Sequence, residues 1–367
     1  MTKITVGLLF GGKSGEHEVS LRSAASILSA IDRAKYDVVP IGITKEGGWR
    51  ADPGFQEGQF SKILQQGAPV VLPAEPTPSG RLIQLDAPGR RGGRWTSIDV
   101  VFPVLHGPFG EDGTIQGLLE LSNIPYVGAG VLGSAVAMDK DVMKRLFQQA
   151  GLPTAPFLAF RWDHWKNRAR DLEQEVAVRL GYPCFVKPAN LGSSIGISKA
   201  EGAEELSEAL ALAGEFDEKV IVERALDARE IECSVLGNAD PQASLPGEII
   251  PRSGFYDYQA KYLDDSAELV VPAPLRPDQV EQIQRLALRS FQVLECRGMG
   301  RVDFFLEKAT QDIYVNEINT IPGFTSISMY PKLWQASGLP YSELIDRLIQ
   351  LALEGHRRRQ SRRIDGG

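Results

Sequence analysis

Arg301-Val-Asp303-Phe-Phe-Leu306, followed after a polar turn by Ile313-Tyr-Val-Asn-Glu317-Ile-Asn319, reads as a β-hairpin. Strand side chains repeat every two residues, so Glu317 and Asn319 share a face. A turn centred near Thr310 sets Asp303 opposite Glu317. Two carboxylates and an amide oxygen on one face repel unless a cation lies between them. Hard oxygen ligands of this kind suit Mg2+, which keeps waters and adds substrate phosphates. The alternative for the same hairpin is a solvated sheet face.

Working outward, Lys187-Pro-Ala-Asn-Leu-Gly192-Ser193-Ser194-Ile-Gly196 lies between the strand-like runs Cys184–Lys187 and Val220–Glu223. Its small residues let backbone N–H groups approach a phosphate, and Lys187 adds a positive charge at the root. A glycine-rich hairpin turn is the alternative. Val220-Ile-Val-Glu223-Arg-Ala-Leu226 is a strand running into a polar turn. Main-chain groups on such an edge can read an adenine, with Glu223 accepting from its amino group.

The chain opens β-α-β. Residues 4–10 form a buried strand, Ser20 caps a helix with Leu21, Ala24, Ala25, Leu28 and Ile31 on its apolar face, and Val38–Ile43 is the next strand. That order predicts a parallel sheet. Residues 46–97, rich in Gly, Pro and Arg, read as an elaboration with short strands rather than core. Ile98–Leu105 is a further buried strand, followed by a helix marked by Ile115, Leu118 and Leu119. Helices over Val142–Ala150 and Leu172–Leu180 stop at Gly151 and Gly181.

Length and composition agree with this organisation. The 367 residues suggest two or three domains at ~100–200 residues each. With 43% apolar and 24% charged residues the chain is an ordinary globular one, which disfavours disorder, collagen and coiled coil. No apolar run reaches the ~18 residues of a membrane span. The opening MTKITVGLLF reads as a first strand, not a signal peptide. Cys184, Cys233 and Cys296 are scattered and without metal-ligand spacing, which fits a reducing cytoplasm. A net charge of −7 argues against nucleic acid as the main partner, and the basic tail at Arg357–Arg359 and Arg362–Arg363 reads as a solvated end.

Two motif matches fail on context. Gly7–Ser14 (GLLFGGKS) fits the P-loop expression, but Gly7 lies inside the strand and the helix begins near Ser20, not at Lys13. Gly128–Gly133 (GAGVLG) fits the dinucleotide fingerprint, but Gln148 and Gln149 stand where an acidic residue should hold the ribose. It reads instead as a tight turn into a helix, and an NAD oxidoreductase is only the out-of-class alternative.

Taken in order, Lys140, Lys187, the glycine-serine loop, Glu223, Glu230, Arg301, Asp303, Glu317 and Asn319 resemble the ATP-grasp enzymes. Further motifs narrow the family: Gly11-Gly-Lys-Ser-Gly-Glu16-His-Glu-Val-Ser20, His106-Gly-Pro-Phe-Gly-Glu111-Asp-Gly-Thr-Ile-Gln-Gly117, Tyr256-Asp-Tyr-Gln-Ala-Lys261-Tyr262 and Asn319-Thr-Ile-Pro-Gly323-Phe-Thr-Ser326-Ile-Ser328. These resemble the signatures of D-alanine–D-alanine ligases, from about residue 4 to 350. Another ATP-grasp carboxylate–amine ligase is the alternative within the fold; Glu16 and Tyr262 argue against it.

The resemblance implies an α/β chain with an ATP-grasp fold. Its parts are an N-terminal parallel-sheet domain over 1–130, a central α+β lobe over 131–225 and a C-terminal α+β lobe over 226–367. It implies a cytoplasmic homodimer that joins two D-alanines for peptidoglycan synthesis, with ATP as co-substrate and two Mg2+ ions, for which Mn2+ can substitute. Membrane insertion is not expected. By the same resemblance Glu16 meets the amino group of the first D-alanine, with Ser193 and Tyr262 as its partners, and His106 neighbours that substrate's carboxylate. Lys140 and Lys187 lie on the α and β phosphates, and Lys261 reaches the γ-phosphate and the second substrate. Ser194, Glu223, Leu226 and Glu230 join the ATP contacts. Arg301 and the Gly323 N–H hold the oxyanion, and Ser328 contacts the second D-alanine. Asp303, Glu317 and Asn319 hold the metal, and the loop carrying Tyr256–Tyr262 closes as a lid.

Overall fold

The computed structural model describes residues 3–52, 59–76, 80–86, 93, 95–251 and 267–361. Strand β1 (Ile4–Gly11) is followed by helix α1 (His17–Ala30) and strand β2 (Tyr36–Ile43), which pairs parallel to β1. Val6, Leu8, Leu9 and Phe10 are fully buried, as an unbroken apolar strand must be when both faces are covered. Ser20 does not cap α1, which starts at His17. Its hydroxyl lies one turn inside the helix, accepts from the Gly11 N–H at 2.7 Å and donates to the Val104 carbonyl. It ties the turn after β1 to a neighbouring strand instead. The early helix start also leaves Gly7 within β1 and Lys13 outside α1, so the P-loop geometry is absent at this motif.

The segment read as an elaboration extends the sheet and supplies core. It contains β3 (Trp49–Ala51), α2 (Phe60–Gln66), β4 (Ala68–Val71), β5 (Gly80–Gln84) and β6 (Trp95–Ile98), and leads to β7 (Val100–Val104). Strand order is β6-β5-β4-β3-β2-β1-β7. The expected parallel sheet is found at β2-β1-β7, and the added strands pair antiparallel. Phe60, Ile63, Ala51 and Leu82 are buried, so short runs among turn residues conceal a real apolar face.

Past α3 (Thr114–Leu121), the GAGVLG segment turns into α4 (Val131–Met138) as expected, and the run before it makes only a single bridge from Tyr126 to Val101. Then comes α5 (Lys140–Gln149), whose start is fixed by Asp139 accepting from the Asp141 and Val142 N–H groups. Strand β8 (Phe157–Arg161), α6 (Trp162–Arg179), β9 (Cys184–Pro188), β10 (Ser198–Ala200), α7 (Ala203–Ala213) and β11 (Lys219–Arg224) complete a second unit. Its antiparallel sheet has the order β10-β9-β11-β8. Helix α6 starts well ahead of the expected Leu172, with non-helical backbone at Arg168 dividing it.

The third unit holds β12 (Ala228–Gly237), β13 (Gln242–Ala243), β14 (Gly247–Pro251), β15 (Ala267–Val270), α8 (Pro277–Val293), β16 (Gly298–Glu307) and β17 (Ile313–Asn319). The order is β15-β14-β12-β16-β17, with β13 beside β12. The hairpin is present and Asp303 pairs with Glu317, as its alternation requires; a bulge after Asp303 skips Asn316. Two last helices, α9 (Met329–Ala336) and α10 (Tyr341–Gln360), return to the first sheet. Leu344, Ile345, Leu348 and Ile349 share one core with Val6, Leu8, Phe10 and Phe102. The chain's two ends are thereby packed together, which fixes the first sheet against the loop after β17.

Candidate active site

A cleft of about 1030 Å3 lies between the second and third sheets. It is lined by eight of the residues singled out from sequence: Lys140, Lys187, Ser193, Ser194, Glu223, Leu226, Glu230 and Glu317. They come from α5, β9 and the loop after it, β11 and the turn after it, and strands β12 and β17. Arg229, held bidentately by Glu248 at 2.7 Å on both nitrogens, lines the same wall and was not marked by the sequence.

The cleft floor is charged. Lys140 donates its ammonium to the Leu191 carbonyl at 2.6 Å and lies 3.5 Å from Glu317 Oε2. Lys187 Nζ donates to Glu223 Oε2 at 3.0 Å. Behind Glu223, on the side away from the cleft, Lys144 Nζ faces Oε1 at 3.3 Å, and this lysine is 0% exposed. Burial pushes the Glu223 carboxyl up, but Lys144 and Lys187 together outweigh it and hold the group below its usual range. A carboxylate has about four lone-pair positions, so one lysine per oxygen still leaves Glu223 able to accept from another donor. Sequence reading missed Lys144. Its signal was the buried stripe Lys140, Met143, Lys144, Phe147 on α5, where two charges sit on an apolar helix face.

The glycine-serine loop is strained. Ser193 and Ser194 both adopt left-handed backbone, with φ of 54° and 59°. That conformation costs about 1–3 kcal/mol per non-glycine residue and clusters at functional sites. The Ser193 hydroxyl is buried and has no hydrogen-bond partner among the described residues. Glu16, 8% exposed at the start of α1, reaches across to this loop. A Cβ placed on Gly192 would stand 3.4 Å from Glu16 Oε2, and one on Gly107 would stand 3.2 Å from it. Gly107 also has a φ of +73°, a left-handed backbone that favours glycine beside this carboxylate. Glu16 thus lies beside Gly192, the residue before Ser193, without a hydrogen bond to the Ser193 hydroxyl.

On the hairpin face the expected repulsion is relieved by the protein's own cations. Arg301 forks Asp303 at 2.7 Å on both oxygens and also lies 3.0 Å from Glu232 Oε2, while Lys140 faces Glu317. Asn319 donates its side-chain amide to Asp303 Oδ2 at 3.0 Å. Repulsion alone thus does not demand a metal. Among the described residues no group of three His, Cys, Asp or Glu side chains is arranged as a metal cluster. The donor set nevertheless fits Mg2+, which takes one or two carboxylates and completes its shell with water and phosphate. Asp303 and Glu317 stand opposite each other, each with lone pairs beyond those its cation uses.

His106 belongs to a clasp between the first sheet and the loop after β17. Its Nδ1 lies 2.9 Å from the Ile321 carbonyl, which can only accept, so Nδ1 carries the proton. Nε2 is then an acceptor, 3.4 Å from the Ser23 hydroxyl, which itself accepts from the Phe324 N–H at 3.2 Å. Burial, first of all, pulls the imidazole below its ordinary value and keeps it neutral. Glu111 closes the clasp: one oxygen accepts from the Ile321 N–H at 2.7 Å, the other from Gly107 at 2.9 Å. Burial, aided by Glu16, pushes its carboxyl up to about 7 despite those two donors. Glu111 stands inside the His106–Gly117 motif, and residue order alone does not reveal its part in the clasp. Gly323 is needed for close approach, since a Cβ there would lie 2.6 Å from Ser328 Oγ. Ser328 precedes α9 without capping it; its hydroxyl accepts from the Thr325 N–H at 3.0 Å.

Glu16, His106, Arg301, Asp303, Asn319, Gly323 and Ser328 are not part of the cleft lining; Asp303 is joined to it through its strand partner Glu317, and Arg301 pairs with Asn319 beside them. Glu16 and Arg301 both act electrostatically on His106 and on Glu111. Tyr256, Lys261 and Tyr262 lie outside the described residues.

The sequence family described as D-ala D-ala ligase N-terminus matches residues 5–129, and that described as D-ala D-ala ligase C-terminus matches 146–350. The chain is 52% identical over 363 residues to a D-alanine–D-alanine ligase of Thermoanaerobacter pseudethanolicus, covering 97% of this chain and 98% of the relative. It is 49% identical over 360 residues to that of Heliobacterium modesticaldum, covering 98% and 97%. Among solved structures it resembles a D-alanine-D-alanine ligase from Coxiella burnetii, with TM-score 0.83, 37% identity and coverage of 98% and 97%. It also resembles a D-Ala:D-Ser ligase from Enterococcus faecalis, with TM-score 0.82, 37% identity and coverage of 96% and 100%.

Proposed function

The chain belongs to the D-alanine–D-alanine ligase family, ATP-dependent enzymes that join two D-alanines for peptidoglycan synthesis, and on that premise we propose how its residues divide the work. ATP occupies the cleft, with its adenine at Glu223, Leu226 and Glu230 and its phosphates over Lys140, Lys187 and the N–H groups of the loop at Ser193 and Ser194. The observation that carries this reading is the convergence of two lysines and a strained glycine-serine loop on one cleft of about 1030 Å3. Asp303, Glu317 and Asn319 would hold Mg2+, or Mn2+ in its place, which when bound screens the phosphate charges.

A carboxylate oxygen of the first D-alanine attacks the γ-phosphorus, ADP leaves, and a D-alanyl phosphate results. The neutral amine of the second D-alanine then attacks the acyl carbon. Arg301 and the Gly323 N–H hold the oxyanion at that point, and phosphate departs. Glu16 and Ser193, with Tyr262, orient the first D-alanine's amino group, and Lys261 serves the γ-phosphate and the second substrate. His106 places the loop that carries Gly323, and Ser328 faces the second substrate.

Three separate sheets support a division into parts at 130 and 225. No helix among the described residues is long and apolar enough to cross a membrane. A cytoplasmic homodimer without nucleic-acid partners remains the reading for the whole protein, by family likeness and a net charge of −7.

The test uses ATP, Mg2+ and D-alanine carrying 18O in its carboxylate. Mass spectrometry should find D-alanyl-D-alanine, ADP and phosphate bearing one labelled oxygen. Dipeptide with unlabelled phosphate would exclude the acyl phosphate; no dipeptide would exclude the whole reading.

A further inference from the structure

A fully buried lysine with no hydrogen bond calls for an explanation, because desolvating an ammonium costs several kcal/mol. Lys144 Nζ is such a group: burial pulls it below its ordinary value, and among the described residues its ion-pair contact is Glu223 Oε1 at 3.3 Å, too poorly aligned to satisfy it as a full hydrogen bond. Asp139 or Asp141, nearby on the same helix, do not serve it; they hold Lys219 instead, with Asp141 also held by Arg145. Nor does Lys144 line the cleft. It is therefore not a ligand contact, and its largest charge interaction is with the carboxylate that also holds Lys187, ahead of those with Lys187 itself and Glu317.

Resting on the assignment of ATP's phosphates to Lys187, we infer that Lys144 is a positioning residue for the nucleotide: it shares the charge of Glu223, so that Lys187 faces the cleft as an un-neutralised cation. Two ammonium groups then share one carboxylate, and the surplus positive charge is matched when an anionic polyphosphate arrives. Without Lys144, Glu223 would give its whole charge to Lys187, and that lysine would be lost to the phosphates. The geometry explains why an ammonium is tolerated at the bottom of a dry helix face. It also explains why Glu223 is held by one lysine per oxygen rather than by one lysine on both.

The experiment measures ATP KM, kcat, thermal midpoint and competitive inhibition by inorganic tripolyphosphate, a probe of the phosphate site without adenine. Lys144→Met should raise the ATP KM and weaken tripolyphosphate about tenfold, with kcat changed about threefold or less. Adding Glu223→Gln to that variant should restore tripolyphosphate inhibition to within about threefold of the parent, since Lys187 regains its charge. If Lys144→Met fails to fold, the comparison of Glu223→Gln with Lys144→Met/Glu223→Gln decides. There the second change should cost tripolyphosphate about threefold or less, and a further tenfold loss would overturn the inference. An unchanged KM in Lys144→Met, or a double variant as weak as the single one, would also overturn it. Lys187→Ala separates the two levels. If it too leaves the ATP KM unchanged, the phosphate assignment itself has failed; if only Lys144→Met is silent, this inference alone has failed.

Discussion

The cleft floor and the clasp beside it are built from opposite principles. At the clasp every polar group of His106, Ser23 and Glu111 named above meets a protein partner, and neutral or shared hydrogen bonds hold the loop after β17. In the cleft wall the Ser193 hydroxyl, and behind its floor Lys144, are buried without a hydrogen bond among the described residues, and two lysines share the Glu223 carboxylate. A satisfied network rigidifies; an unsatisfied one is a standing cost that ligand binding relieves. The contrast teaches which part of the site is scaffold and which part awaits a substrate.

Substitutions should separate the two. Glu317→Gln strikes the cleft hardest. It removes an oxygen charge from the proposed metal position and the partner of Lys140. Turnover should fall about a thousandfold, ~4 kcal/mol of transition-state stabilisation, with the thermal midpoint little moved. ADP release followed across a Mg2+ titration checks it, and normal rates at ordinary Mg2+ would remove Glu317 from the metal.

Glu111 tests the clasp through pH. Its carboxyl titrates at about 7 in the folded chain against an ordinary 4.5, so between those values the folded state holds a proton that the unfolded state has lost. Stability must therefore fall as pH rises through this window, by roughly 3 kcal/mol in all from this one group. Urea unfolding at pH 5 and pH 7.5 should show a smaller drop for Glu111→Gln than for the parent. Equal drops would mean that Glu111 ionises as freely in the fold as outside it.

Lys187→Ala and Lys13→Ala form a pair. The first should weaken ATP about a hundredfold, because it strips a buried carboxylate of a partner and the cleft of a cation. The second, whose ammonium lies 5.2 Å over the Phe109 ring, should change ATP affinity by about twofold or less. Comparable losses measured by calorimetry would return the P-loop reading to contention.

Ser23→Ala is the mildest. It leaves the buried Phe324 N–H without an acceptor, which should cost about 2 kcal/mol in urea unfolding. D-alanine KM should rise while ATP KM stays put. A shift in ATP KM instead would show that the clasp and the cleft are one unit.

Much of this was legible along the chain, because alternation and register are local properties. The pairing of Asp303 with Glu317 followed from strand periodicity and one turn, and the four ligase motifs followed from residue order. The helix starts at His17 and Trp162 were not legible: Ser20 is used by a distant carbonyl, and apolar spacing says little about where a polar first turn begins. Nor was the core within 46–97, where each strand is too short to show a period.

What the sequence determined by itself is the family, the order of elements and the types of group brought to the site. Those depend on residue identity and spacing alone. What only the tertiary structure decided is who neutralises whom. Arg301 forks Asp303, His106 clasps Ile321, and Lys144 stands behind Glu223. Such pairings join residues far apart in the chain, and Coulomb energy depends on distance and burial, which exist only once the sheets have packed.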